Sequence, residues 1–266
     1  MTQPAPAYAF PGPIPREALE YLRAKGLTPS FSWEDVWAEE HVSAFTVAKG
    51  MQLDVLSDIK AALDRALAEG ATLETFRREL APLLQAKGWW GRQQVVDPAT
   101  GETVTAQLGS PRRLRTIYAA NLRAARAVGQ WQRIQETKES LPYLMYMLGP
   151  SLHHRPEHVA WAGTCLPVND PWWEAHMPPK EYGCKCWVRQ VSPSEYASLA
   201  GREGAQLVAP PDMMVRWTNS RTGEIVTVPA GVNPAWAGNP GATRQDNLRK
   251  ELAAKQARFD ALYPQK

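Results

Sequence analysis

Apolar positions recur at three- and four-residue intervals through the first half of the chain and in short runs or alternation through the second, so the pattern predicts helices first and strands later. The period is cleanest at Leu56, Ile59, Leu63 and Leu67, where Gly70 stops the stripe. Thr72 opens the next helix, with Leu73, Phe76, Leu80 and Leu83 inward, and Pro82 is expected to bend or shorten its last turn. Upstream, Ala18, Leu19, Tyr21 and Leu22 predict a short helix from Arg16 that ends at Gly26. Ser32, with Asp35 three residues on, reads as the capped start of a helix carrying Trp33, Val36, Trp37, Val42, Phe45 and Val47 toward Gly50. Ser110 followed by Pro111 is a strong helix start, and Leu114, Ile117, Tyr118, Leu122, Ala125 and Val128 carry that helix past Trp131 to Ile134.

The strand signals are shorter. Val95 to Ala106 alternates around a Pro, Gly and Asp turn and reads as a hairpin inserted between helices, with Trp89 and Trp90 as an apolar plug before it. Tyr143 to Leu148 and Trp187 to Val191 are strand candidates, and Met213 to Trp217 with Glu224 to Val228 form a second hairpin around Asn-Ser-Arg-Thr-Gly. The stretch from Ser192 to that hairpin reads as a Ser, Pro and Gly-rich connection, and Gly231 to Gly241 as a loop. The expected class is α+β: an N-terminal helical region, a long central helix, and a β-rich C-terminal half with a long Cys/His loop. Its expected divisions are a proline-rich arm at 1–15, a helical region with a hairpin insertion at 16–140, an α+β region at 141–242, and a mixed-charge helix at 243–266 with a weak stripe at Leu248, Leu252 and Phe259. The arm is either idle chain or a strap that orders on a neighbouring subunit.

Composition narrows this only a little. A chain of 266 residues with 44% hydrophobic content can bury a core, and wholesale disorder is not expected. Thirty basic against 27 acidic residues exclude a histone-like polycation but permit a local basic face. The central helix supplies one: Arg112, Arg113, Arg115, Arg123 and Arg126, with no acidic residue before Glu136. Such a face is either a solvated surface or a contact for packaged double-stranded DNA or an acidic protein ring. The start of the chain lacks the charged and apolar regions of a signal peptide, and no run approaches the roughly 20 apolar residues of a membrane span. Three clustered cysteines do not make a secreted disulfide framework, so a reducing cytoplasm is the expected place of synthesis.

Chemistry concentrates between Leu152 and Val191, which hold all three cysteines and four of the five histidines. On an extended backbone Cys184 and Cys186 present their sulfurs to one side, and His154, His158 and His176 precede them. These are the nitrogen and sulfur donors of a closed tetrahedral zinc site, which would staple a loop of about 35 residues between two strands with Trp161, Trp172, Trp173 and Trp187 as its apolar shell. The alternative is that the thiols are small buried apolar groups and the imidazoles bond to backbone. A disulfide between residues two apart is strained. No H-E-x-x-H, Walker, G-x-G-x-x-G, G-x-S-x-G or zinc-deaminase pattern occurs. Glu157 beside His158 could serve a metal-bound water, and a Cys-His nucleophile pair is a further enzymatic possibility, so a metal-dependent hydrolase acting on nucleic acid is the second functional reading.

Several motifs in this order carry a resemblance: Arg155 to His158, Leu166 to Trp173, His176 to Pro179 and Gly183 to Arg189, with Gly88 to Gly91 and Thr116 to Asn121 upstream and Pro229 to Gly241 downstream. Together they resemble the Mu F-like phage head morphogenesis family, minor head proteins related more distantly to the SPP1-type minor head proteins. That resemblance implies a non-enzymatic minor capsid protein of a phage or prophage, made in the host cytoplasm and carried inside the virion head. Its implied partners are the portal protein, other capsid proteins and packaged DNA, with no membrane, and its implied role lies in head assembly and in packaging or ejection. It also carries the zinc-ligand set onto His158, His176, Cys184 and Cys186, with Cys165 and His154 in reserve. In the SPP1-type relatives a histidine follows the double proline, whereas here His176 precedes Pro178 and Pro179.

Overall fold

The computed structural model describes residues 16–36, 43–243 and 246, so the proline-rich arm and nearly all of the expected C-terminal helix lie outside the described residues. Four helices build the first core. These are α1 (Arg16–Ala24), α2 (Leu53–Glu69), α3 (Leu73–Ala86) and α4 (Pro111–Thr137). Their apolar stripes meet around Leu22, Leu56, Ile59, Leu63, Leu80, Leu84 and Leu114, each at most 1% exposed. Gly70 ends α2 in the left-handed conformation that a glycine adopts without strain. In α3 the helix passes Pro82 and continues to Ala86, so the expected shortening does not occur. The inward residue of that last turn is Leu84, and Leu83 is exposed.

The helix expected from Ser32 to Gly50 is not continuous among the described residues, and its stretch from Trp37 to Val42 lies outside them. Its start is real: Ser32 and Asp35 make a reciprocal capping box on one 3₁₀ turn, Trp33–Asp35. The chain then turns extended at Val36, and Ala44–Phe45 (β2) pairs in parallel with Gly26–Leu27 (β1). Tertiary contacts override the local signal here, because Asp35 is tied by Arg221 from the far end of the chain and Phe45 is buried against the helices.

The first hairpin is β3 (Arg92–Val96) with β4 (Thr103–Gln107), one to three residues offset from expectation. Beyond it α4 is the spine of the molecule. At 27 residues it is about 40 Å long, its first half packed into the helical core and its Trp131 and Ile134 reaching a second core. Ser110 caps it by accepting the Arg113 amide at 3.2 Å.

The second core rests on a three-stranded antiparallel sheet ordered β6–β5–β7, from Cys165–Pro167, Tyr143–Met147 and Trp187–Val191. Alternation puts Leu144, Tyr146 and Val188 on one face with Trp161, Trp172 and Trp173, and Met145, Cys165 and Val191 on the other. The free edge of β7 is served by α4: Gln130 donates to the Val188 carbonyl at 2.7 Å and Arg123 to that of Cys184 at 3.0 Å. The segment between β5 and β7 is more regular than expected. Besides β6 it holds two one-turn helices, α5 (Pro156–Ala160) and α6 (Trp172–His176).

After β7 comes a helix that the sequence analysis did not expect, α7 (Pro193–Ala200), started by Ser192 and Pro193 in the way Ser110 and Pro111 start α4. The last hairpin, β8 (Met214–Thr218) with β9 (Ile225–Pro229), pairs as expected. Its turn reaches back to the N-terminal region, where Arg221 pairs with Asp35 and grips Asp97 through bonds of 2.7 and 3.0 Å. The whole is α+β. No helix among the described residues is long and apolar enough to cross a membrane.

Candidate metal centre

Three of the four expected ligands converge. His158 comes from the turn of α5, and Cys184 and Cys186 from the extended run entering β7. Their donor atoms all lie within 4.8 Å of one another. His158 Nδ1 stands 3.8 Å from the Cys184 sulfur and 3.6 Å from that of Cys186. An ion bound tetrahedrally, with sulfur at about 2.3 Å and nitrogen at about 2.0–2.1 Å, sets its N···S separations near ~3.5 Å. The spacing therefore fits a shared centre.

The imidazole is also oriented for the task. His158 Nε2 lies 2.9 Å from the Gly231 carbonyl, which can only accept, so the proton sits on Nε2 and Nδ1 faces the sulfurs. Gly231 has to be glycine for this approach. Its φ is +87°, and a Cβ there would stand 2.7 Å from the Cβ of Glu157. A second glycine closes the other side, since a Cβ on Gly149 would lie 1.8 Å from the Lys185 carbonyl oxygen.

A hydrogen bond between the two thiols sets them apart. A hydrogen bond from Cys186, with the amides of Lys180 and Cys186 beside it, holds the Cys184 thiol below its ordinary value against the cost of burial. The same bond, then burial, pushes Cys186 up. Burial first, and then both sulfurs, raise the Tyr146 hydroxyl, which is buried without a well-formed hydrogen bond beside them. Lys180 is fully buried next to this group. It donates to the carbonyls of Trp236 and Gly238 at 3.2 and 2.6 Å, and burial lowers it to about 7.

His176 is not part of the cluster. Its Nδ1 donates to the Trp172 carbonyl at 2.8 Å and its Nε2 meets Asp212 at 3.0 Å, so both ring nitrogens are committed. Burial pulls its pKa down against the support of Trp172 and Asp212, and its ring stacks on Trp172 at 4.0 Å. His154 turns to the Gly149 carbonyl, and Cys165 lies on the opposite face of the sheet. Of the expected shell, Trp161 stacks on the His158 ring at 4.8 Å, while Trp187 is 45% exposed.

The five arginines of α4 divide. Arg113 is drawn inside, where it donates to the carbonyls of Gln107, Leu108 and Ala48 over the face of Trp89, and burial lowers it to about 10. Arg123 is held by the Cys184 carbonyl. Arg112, Arg115 and Arg126 are exposed and fall within about 60° of one another around the helix.

Sequence reasoning missed Gly149, Lys180, Asp212 and Gly231. Gly231 stood inside a recognised motif, but nothing local tied it to His158. Lysine is rarely buried, so Lys180 gave no signal at all.

The family model described as Phage Mu protein F like protein matches residues 57–189, a stretch that holds α4, the sheet and the three clustered donors. The chain is 36% identical over 269 residues to a protein of Escherichia phage Mu named for capsid assembly, protein F, with 95% of this chain and 61% of that relative aligned. It is 34% identical over 168 residues to the Mu-like prophage FluMu F protein of Haemophilus influenzae, covering 63% of this chain and 39% of that one. It thus spans less than two thirds of the length of either relative. No solved structure matches it. With half of its residues inside the family model, and 36% identity over 95% of its length to the phage Mu protein, the chain belongs to the Phage Mu protein F like family.

Proposed function

We propose that this chain is a head-assembly component of a Mu-like phage or prophage, carried in the virion, with a zinc ion stapling its Cys/His loop. The single observation that carries the assembly role is the 36% identity, over 95% of the chain, to a phage Mu protein named for capsid assembly. The geometry supports the staple: two sulfurs and a correctly oriented imidazole meet between β5 and β7, with the buried Tyr146 hydroxyl beside the sulfurs. When bound, such an ion would supply rigidity, displacing the thiol protons and fixing the strands at both ends of the loop. Capsid proteins, the portal ring among them, are the partners of this reading. Arg112, Arg115 and Arg126 form the face offered to packaged double-stranded DNA or to an acidic partner.

The test is head composition. Heads assembled with the native chain contain it, and heads assembled with Cys186→Ser lack it while the exposed-site control His153→Ala is retained. Native heads without the protein sink the assembly role, and full retention of Cys186→Ser sinks the staple. DNA contact is checked separately: Arg112→Glu, Arg115→Glu and Arg126→Glu together should lower the salt dependence of binding to DNA of any sequence by about three phosphate contacts.

One observation favours a metal-dependent hydrolase instead. Three protein donors leave the fourth position of a tetrahedral ion open, the arrangement hydrolytic zinc sites keep for water. Burial weighs against it, because His158 and Cys184 are 2% and 3% exposed.

A further inference from the structure

The carbonyl that orients His158 belongs to a run with little regular structure of its own. From Gly231 to Pro240 the chain makes one 3₁₀ turn, Pro234–Trp236, capped by the Asn233 side chain, which accepts the Ala235 amide at 2.9 Å. Bonds inside the run shape it but do not fix where it sits against the rest of the molecule. Among the described residues, four hydrogen bonds join it to distant parts of the chain, and three of them end on Lys180. The Asn233 amide donates to the Lys180 carbonyl at 3.0 Å, and the Lys180 ammonium donates to the carbonyls of Trp236 and Gly238 at 3.2 and 2.6 Å. The fourth is the bond from His158 Nε2 to the Gly231 carbonyl at 2.9 Å.

Lys180 reaches the thiols as well. Its backbone amide faces the Cys184 sulfur, so the same residue touches one thiol through its N–H and, through its carbonyl, the amide two residues beyond Gly231. The side chain is 0% exposed, and no carboxylate among the described residues pairs with its ammonium. Burying a cation in this way is costly, and a methionine would fill the same space without that cost. What a methionine cannot do is donate to two carbonyls, five and seven residues beyond Gly231.

A neutral imidazole carries its proton on either nitrogen, and the partner of one decides what the other can do. A carbonyl fixed about 3 Å from Nε2 keeps the proton there; a carbonyl free to drift leaves both forms populated, and a protonated Nδ1 cannot bind a metal. We infer that Lys180 is the positioning residue of the metal centre: by pinning the run 231–240 it holds the Gly231 carbonyl in place, and with it the His158 ring that presents Nδ1 to the sulfurs. That purpose rests on the metal reading proposed above; the brace itself stands in the metal-free chain.

The first readout needs no metal. In the full chain, reduced and stripped of metal in mildly alkaline buffer, the nitrogen NMR shifts of the His158 ring should report the Nε2–H form alone. Lys180→Met, which keeps the apolar stem and removes the donors, should mix the two forms. Lys180→Gln keeps one donor and is the second variant should the first not fold; it should show the same mixing in weaker form. Leu166→Ala opens a cavity in the same core and should cost stability while leaving the ring signals of His158 as they are. The second readout is the metal alone: Co²⁺ should bind Lys180→Met about tenfold more weakly than the native chain. Unchanged ring signals in the lysine variants overturn the inference, as does mixing that Leu166→Ala reproduces, or a Co²⁺ affinity indifferent to Lys180→Met. A native chain that takes up no Co²⁺ sinks the metal reading, and the ring signals then still decide the brace.

Discussion

The two cores of this molecule are built on different terms. The first is made of long helices whose apolar faces repeat at helical spacing, and its buried members are mainly leucine, alanine and valine. The second has little regular structure to lean on. It places four tryptophans, Trp131, Trp161, Trp172 and Trp173, around a short sheet and holds the chain between them by single, specific bonds. Trp173 donates to the Pro167 carbonyl at 3.0 Å, His158 to Gly231, Lys180 to Trp236 and Gly238, and Arg123 to Cys184. The contrast teaches that the helical half needs only its pattern, whereas the loop half needs particular side chains and, on the reading proposed above, an ion. The helix α4 joins the two, giving Leu114 to Val128 to one core and Trp131 and Ile134 to the other.

The largest effect expected from breaking this contrast is at Trp173, 1% exposed and hydrogen-bonded. Trp173→Ala should lose about 3–5 kcal/mol, with hydrogen exchange rising first in the sheet and its loop. Leu63→Ala, fully buried in the helical core, should lose about 2–5 kcal/mol and expose the amides of α2 and α3 instead. A chelator sharpens the comparison. At zinc a hundredfold above its dissociation constant the ion stabilises by about 2.7 kcal/mol, so its removal should lower protection in the Cys/His half and leave the response to Leu63→Ala unchanged. Smaller again are the caps: Ser110→Ala and Ser192→Ala should each lose about 1 kcal/mol in urea unfolding, one at the head of α4 and the other at α7.

The smallest effect expected is electrostatic and concerns the tie between the halves. Hydrogen bonds from Arg221 hold the Asp97 carboxyl down at about 2, below its ordinary 3.8. A depressed acid favours the folded state above its unfolded pKa, so this contribution is present above about pH 4 and fades as the pH falls toward 2. Arg221→Gln should return Asp97 toward 3.8 in a carbon-detected NMR titration. An unmoved value would mean that Arg221 is not what holds it.

How much of this was legible in the sequence divides along the same line. The stripe at Leu56, Ile59, Leu63 and Leu67 and the Ser110–Pro111 start were readable because helix period and capping are local. The same logic would have found α7 from Ser192 and Pro193, and it misplaced the stretch after Ser32 because Arg221, 186 residues from Asp35 along the chain, decides that conformation. Spacing put Cys184 and Cys186 on one side of an extended run, and they do meet His158. It offered no way to choose between His158 and His176, since that choice rests on Gly231 and Asp212, contacts with residues distant in sequence.

Elemental analysis of the purified chain tests the central claim most directly. The account predicts one zinc per native chain, its loss in Cys184→Ser, and its retention in His176→Asn, where the altered ring lies outside the cluster. A native chain without metal, or one whose metal follows His176 and ignores Cys184, would contradict it.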